Sequence, residues 1–128
     1  MLDLELLPGE YAICRLPAGS PLPAGLIQTP PEGVLSVTWT ADEVSILCPA
    51  ERVPDDATVE TPWRCLRVAG PVQLALTGIL ASIVSPLADA RVNIFAFSTF
   101  DTDYVVVPAV RLGEALAALA GAGHRLST

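Results

Sequence analysis

Residues 36–53 (SVTWTADEVSILCPAERV) and residues 95–112 (FAFSTFDTDYVVVPAVRL) share one layout. Each stretch has an apolar run, a polar turn, a second apolar run and then Pro-Ala, which is typical of a β-hairpin. If the two stretches are copies of one repeat, they predict two small modules of one design. The alternative is that they are two unrelated hairpins of similar composition. Five identities recur at a single offset of 59 positions, at Thr40 and Thr99, Asp42 and Asp101, Pro49 and Pro108, Ala50 and Ala109, and Arg52 and Arg111.

The second half of the chain alternates strand and helix patterns. Strands are predicted at 63–69, 92–98 and 104–107, helices near 79–87 and 112–120, and a short edge strand at 124–127. The order βαββαβ predicts an α+β, ferredoxin-like fold, with an antiparallel sheet and both helices on one face.

The first half keeps the strand pattern but has little room for helices. Strands are predicted at 11–16, 34–40 and 44–48, whereas residues 17–33 contain five prolines, which forbid a long helix. We therefore predict a first module, 1–60, with reduced helices and a complete second module, 61–128. Residues 50–62 are polar and are expected to connect them.

Two residues of the second module carry specific expectations. Pro86 lies late in the first predicted helix and removes one of its hydrogen bonds, so it is expected to end or bend that helix. His124 follows Gly123 at the exit of the second helix, where a solvent-exposed or capping role is expected.

Charge argues against two classes of partner. The net charge is −7, and the seven Lys and Arg residues are scattered, so neither nucleic acid nor an anionic membrane surface is an expected partner. The 21 uncharged residues between Arg67 and Asp89 are interrupted by Gly70-Pro71 and Pro86, so a membrane-spanning helix is not expected.

Cysteine and histidine usage argues against a metal site and against catalysis. The chain has three cysteines, an odd number for a disulfide framework, and all lie in apolar runs (Cys14, Cys48 and Cys65). Reduced, buried thiols and a cytoplasmic location are therefore expected. With His124 as the only histidine, no zinc ligand set and no nucleophile–base pair is apparent. Neither cofactor nor enzyme activity is predicted.

Two short segments suit a small polar ligand. Residues 75–78 (ALTG) precede a helix, where free N–H groups favour a carboxylate; the alternative is a plain Thr N-cap. Residues 98–103 (STFDTD) combine hydroxyls, carboxylates and turn amides that could hold an ammonium; the alternative is an Asx-type turn that bonds its own backbone.

At these residues the chain resembles the ACT family of amino-acid-sensing domains. Within that family it is similar to small bacterial proteins with two ACT modules and to the ACT pairs of the CASTOR arginine sensors. The resemblance covers roughly residues 34–124 and is carried by PWRCLRV (62–68), LTGIL (76–80) and FSTFDTDYVVVP (97–108).

The resemblance implies a regulatory, non-catalytic protein that binds a free amino acid at an interface between modules or subunits. One departure concerns Leu76, because the arginine sensors have an acid at the matching position; a neutral amino acid is therefore expected in preference to a cationic one. The implied ligand-binding positions are Thr77, Gly78, Asn93, Ile94, Thr99, Phe100, Thr102 and Asp103.

We therefore expect a cytoplasmic amino-acid sensor that forms a homodimer. The short, apolar and weakly charged chain favours a second copy as its partner. The alternative function is an ACT-like dimerisation or interaction module that binds a protein partner and no metabolite.

Overall fold

The structure is a computed structural model that describes residues 1–28, 33–70 and 77–127. Its strands are β1 (Asp3–Leu6), β2 (Tyr11–Pro17), β3 (Ser36–Trp39), β4 (Glu43–Pro49), β5 (Thr58–Val68), β6 (Phe95–Ser98), β7 (Asp103–Pro108) and β8 (Arg125–Ser127). Its α-helices are α1 (Ile79–Asp89) and α2 (Leu112–Gly121), and short 3₁₀ helices span Ala50–Arg52 and Ala109–Arg111.

The chain divides into two units. The N-terminal unit comprises residues 8–63, and the C-terminal unit comprises residues 1–7 together with 64–128. The seven N-terminal residues thus belong with the second half of the chain. The assignment of two domains at 1–60 and 61–128 stays a prediction.

In the C-terminal unit the strands lie in the order β6, β7, β5, β1, β8. β1 runs antiparallel to β5, with Leu4 opposite Val68, and parallel to β8, with Leu4 opposite Leu126. The predicted α+β, ferredoxin-like order is confirmed, with β1 as an additional strand between β5 and the C-terminal edge strand.

Both helices of the C-terminal unit pack on one face of its sheet. Ile83 and Leu87 recur one turn apart on α1 and are 1% and 0% exposed. They pack with Val68 from β5 and with Leu119 from α2. The helix-facing side of the sheet therefore forms the core of this unit.

The structure differs from two expectations about this unit. The helix α1 does not end at Pro86 but continues to Asp89. His124 is buried, at 7% exposure, and its Nε2 lies 2.8 Å from the carbonyl oxygen of Ser82. The predicted connector at 50–62 also differs, because the long strand β5 already begins at Thr58, where its residues pair with β2.

The N-terminal unit has the strand order β3, β4, β2, β5, with all pairs antiparallel. Its buried cluster includes Cys14, Val44, Ile46 and Leu26. Apart from one 3₁₀ turn, residues 8–28 and 33–63 contain no helix, as the prolines predict.

The repeat recurs in the structure. β3 and β6 are offset by 59 residues, as are the two 3₁₀ helices. The Thr40 amide donates to the Glu43 carbonyl at 3.0 Å, and the Thr99 amide donates to the Thr102 carbonyl at 2.9 Å. Each unit therefore contains the same hairpin, closed by the same turn.

Truncation of Leu87 tests the core of the C-terminal unit. Leu87→Ala is expected to lower the free energy of unfolding by about 2–5 kcal/mol, because it leaves a cavity under α1. Ser85→Ala, an exposed position on the same helix, is the matched control and is expected to change it by less than about 0.5 kcal/mol. Chemical denaturation measures both, and equal small effects would contradict the assigned helix face.

Candidate functional site

A surface groove of about 400 Å³ lies where β5 ends beside the β6–β7 turn. The strand register sets its composition, because it places Glu5 of β1 directly opposite Arg67 of β5. The groove is lined by Glu5, Arg67, Val68, Gly70, Thr99, Asp101, Thr102 and Tyr104. We call it the β5-end groove.

Arg67 is the cation of the groove. Its guanidinium forms an ion pair with the Glu5 carboxylate, and the two side chains are 39% and 36% exposed. The hydrogen bond that Arg67 donates to the Glu5 carboxylate raises the pKa of the guanidinium above its ordinary value, and Tyr104 acts in the same direction. Because both side chains remain partly open to solvent, the pair is accessible to a ligand.

The groove lies on the sheet face opposite the helices. Leu66 and Val68 face the helical core, and side chains alternate along a strand, so Arg67 points to the other face. Tyr104 stacks on Phe97 there, with ring centroids 4.9 Å apart and planes within 3°. This stacking fixes the aromatic wall of the groove.

The β6–β7 turn is attached to the end of β5. The Thr102 hydroxyl donates to the Val68 carbonyl at 2.6 Å, and this bond is partly buried. The Ser98 hydroxyl donates to the Asp103 carboxylate at 2.5 Å. Within the turn, the Thr99 hydroxyl and the Thr99 amide both donate to the Thr102 carbonyl, at 3.4 and 2.9 Å. Thr99 and Thr102 nevertheless line the groove, whereas Asp103 does not.

The start of α1 differs from a Thr-capped helix. Gly78 is the N-cap residue, with φ +80° and ψ −3°, and no side chain of the described residues caps the helix. Apart from its chain neighbours, no described residue has a heavy atom within 4 Å of the position that a Cβ atom of Gly78 would occupy. Thr77 is exposed beside it. The described residues therefore leave space beside Gly78 at the helix start.

Asn93 and Ile94 lie at the opposite end of β6 from the turn. At roughly 3.3 Å per strand residue, Ile94 and Thr99 are on the order of 17 Å apart. Asn93 is exposed, and Ile94 packs against the helical core. A single C-terminal unit therefore does not bring all eight predicted residues together.

Of the predicted set, the groove contains two members, Thr99 and Thr102. Thr77, Gly78, Phe100 and Asp103 lie outside its lining; Phe100 is 80% exposed. Leu76 lies outside the described residues. The predicted set omitted four polar lining residues, Glu5, Arg67, Asp101 and Tyr104. Arg67, Asp101 and Tyr104 lie within sequence motifs already singled out at 62–68, 98–103 and 97–108, whereas Glu5 had no such signal.

A second groove, of about 320 Å³, lies in the N-terminal unit. Its charged lining residues are Glu51, Arg52 and Asp55. The guanidinium of Arg52 also donates to the carbonyl of Gln28. The Arg52 guanidinium is therefore already hydrogen-bonded to the backbone of the same chain.

The cysteine side chains offer no reactive thiol at the surface. All three are buried and free. Burial raises the pKa of the Cys65 thiol to about 12, so it stays protonated near neutral pH. The hydrogen bond between Cys14 and Cys48 raises the pKa of Cys48 and lowers that of Cys14. Within residues 1–28, 33–70 and 77–127, no three His, Cys, Asp or Glu side chains are grouped to hold a metal.

None of the helices in the described ranges has the length and apolarity needed to cross a bilayer.

Comparison with known families matches both halves of the chain. The family described as "ACT domain" matches residues 58–121. A family of N-terminal domains matches residues 9–56. The two matches together span the N-terminal unit and most of the C-terminal unit.

Comparison with curated proteins finds the human protein named cytosolic arginine sensor for mTORC1 subunit 1. It is 32% identical over 89 residues, which are 69% of this chain and 26% of that protein. The bovine protein of the same name matches equally. The chain spans about a quarter of the length of the curated relatives that it matches.

Comparison with solved structures finds protein Atu0741 of Agobacterium tumefaciens. It is 38% identical with a TM-score of 0.90, covering 99% of this chain and 93% of that one. The regulatory subunit of aspartate kinase from Thermus flavus is 13% identical with a TM-score of 0.63, covering 94% and 96%. The second likeness concerns the fold alone.

Proposed function

Because this chain belongs to the ACT domain family, we propose that it is a regulatory, non-catalytic protein that senses a free amino acid bound in the β5-end groove. The observation that carries the proposal is the composition of that groove, which places the Arg67 guanidinium and the Asp101 carboxylate beside threonine hydroxyls; among the described residues Asp101 has no ion-pair partner. An amino acid carries the complementary carboxylate and ammonium. The volume of about 400 Å³ falls within the roughly 300–1,000 Å³ of small-molecule sites.

Arg67 is the residue that we assign to the ligand carboxylate. A guanidinium has five N–H donors in a planar fork and binds carboxylates in pairs of hydrogen bonds. Glu5 uses only part of this capacity. A ligand carboxylate therefore either joins Glu5 on Arg67 or displaces it.

Asp101 is the residue that we assign to the ligand ammonium. It lines the groove and forms no hydrogen bond or ion pair with another described residue. Asp103, which the family resemblance suggests, already accepts the Ser98 hydroxyl. Thr99 and Thr102 remain beside Asp101, where their hydroxyl oxygens can accept from the ammonium.

Regulation, rather than catalysis, is what the relatives support. The human relative is named as an arginine sensor, and the Thermus flavus structure is a regulatory subunit. The three free, buried cysteines favour a cytoplasmic location for this chain.

A protein-binding role is the second candidate. The observation in its favour is the exposure of large apolar side chains, with Phe100 at 80%, Val110 at 85% and Trp39 at 63%. Aromatic side chains such as those of Phe100 and Trp39 are enriched at interfaces. In this alternative the chain is an interaction module that binds no metabolite.

Calorimetric titration with each common amino acid tests the site. Arg67→Gln and Asp101→Asn are each expected to weaken the binding of the preferred ligand by about 1.5–3 kcal/mol, because each removes a hydrogen bond to a charged group. Asp103→Asn is the matched control; it is expected to bind normally and to lose only turn stability.

The opposite pattern, in which Asp103→Asn abolishes binding and Asp101→Asn does not, would contradict the assignment of the ammonium. Binding of no common amino acid would overturn the sensor function and favour the interaction module.

A homodimer is expected from the separation of Asn93 and Ile94 from the groove. If these residues contact the ligand, as the family resemblance implies, a second copy must supply them. Light scattering is expected to give twice the chain mass of 13.4 kDa at micromolar concentration. A mass of one chain would contradict this arrangement.

Ligand preference is expected to follow from Leu76. A leucine side chain has no acceptor for a cationic side chain, and an unpaired buried charge is costly. We therefore expect a neutral amino acid to bind more tightly than arginine or lysine. Leu76→Glu is expected to shift preference toward arginine, because a carboxylate accepts a forked guanidinium contact. Tighter binding of arginine than of any neutral amino acid by the unmodified protein, measured by calorimetry, would contradict this preference.

A further inference from the structure

Pro86 should leave a gap in the hydrogen bonding of α1. In an α-helix the carbonyl of residue i accepts the amide N–H of residue i+4. Proline has no N–H, so Pro86 leaves the carbonyl of Ser82 without its helical donor. Ser82 lies in the first turn of α1, and its own amide donates to the Gly78 carbonyl at 3.0 Å.

His124 occupies this gap. Its Nε2 lies 2.8 Å from the Ser82 carbonyl oxygen. Its Nδ1 accepts the amide N–H of Leu2 at 3.1 Å. A carbonyl only accepts and an amide N–H only donates, so Nε2 must carry the proton and Nδ1 must be bare. The two contacts together select one neutral tautomer of the ring.

We infer that His124 supplies the donor that Pro86 removes, and that it is thereby the residue that positions the start of α1 against the N-terminal strand. The Leu2 carbonyl accepts the Arg125 amide at 2.9 Å, so both the amide and the carbonyl of Leu2 are hydrogen-bonded. Arg125 also forms two hydrogen bonds with the Asp3 carboxylate, at 2.6 and 3.0 Å.

The hydrogen bonds of His124 connect to two segments near the candidate site, the start of α1 and the strand β1. Residues 77 and 78 lead into the first turn of α1, and Glu5 of the groove lies on β1, three residues after Leu2. His124 touches neither the groove nor Gly78 in the described contacts, so its action is to position them. This effect on binding rests on the proposed function, whereas the hydrogen-bond substitution does not.

A double-mutant cycle tests the inference. His124→Asn keeps an acceptor near the Nδ1 position but loses the donor to Ser82, and is expected to lower the folding equilibrium constant about tenfold, or about 1.4 kcal/mol. In a Pro86→Ala background the amide of residue 86 bonds Ser82, and the same change is expected to cost threefold or less. Equal costs in both backgrounds would overturn the inference.

His124→Gln provides the conservative comparison. Its amide nitrogen can reach the position of Nε2, so it is expected to keep more stability than His124→Asn when Pro86 is present. The reverse ranking would contradict the assigned donor. Should His124→Asn fail to fold, ¹⁵N NMR of the unmodified protein decides: a neutral ring protonated at Nε2 supports the inference, and a ring protonated at Nδ1 overturns it.

Ligand binding gives a separate readout. His124→Asn is expected to weaken amino-acid affinity severalfold, and the double variant with Pro86→Ala is expected to stay weakened, because an amide at position 86 satisfies the Ser82 carbonyl but does not restore its link to Leu2. A folded His124→Asn variant with unchanged affinity would overturn the positioning role. If the unmodified protein binds no amino acid, the proposed function fails, but the stability cycle still decides whether His124 replaces the missing N–H.

Discussion

Pairing of the N-terminal strand β1 with the end of β5 is the constraint on which the C-terminal unit depends. The register that places Leu4 opposite Val68 also places Glu5 opposite Arg67. The apolar pair enters the helical core, while the charged pair faces the groove, because strand side chains alternate between faces. One strand of four residues thus contributes both to stability and to the candidate site. Leu2, just before it, meets His124.

Local patterns in the sequence were sufficient for the repeated hairpins and both helices. The turn residues Thr40 and Thr99 close their hairpins by contacts within three residues, so composition predicts them well. The apolar spacing of Ile83 and Leu87 likewise predicts the buried face of α1. The ferredoxin-like order followed from these elements.

Contacts between distant segments were not predictable in the same way. β1 is short, and its alternation of acids with leucines becomes a strand signal only beside its partner β5, some sixty residues away. His124 follows a glycine at a helix exit, which locally suggests exposure, but its ring is buried and hydrogen-bonds Leu2 and Ser82, which are 122 and 42 residues away in the sequence. The residues that line the groove differ in the same way. Thr99 and Thr102 were predicted from a local motif, whereas the position of Glu5 depends on the register between β1 and β5.

The central claim is that the β5-end groove binds a free amino acid. Titration of ¹⁵N-labelled protein with individual amino acids, followed by amide NMR shifts, tests it most directly. We expect saturable shifts concentrated at residues 67–70 and 99–104, which form the end of β5 and the β6–β7 turn. Shifts confined to residues 23–28 and 51–55 of the N-terminal unit, or no saturable shift with any common amino acid at millimolar concentration, would contradict the claim.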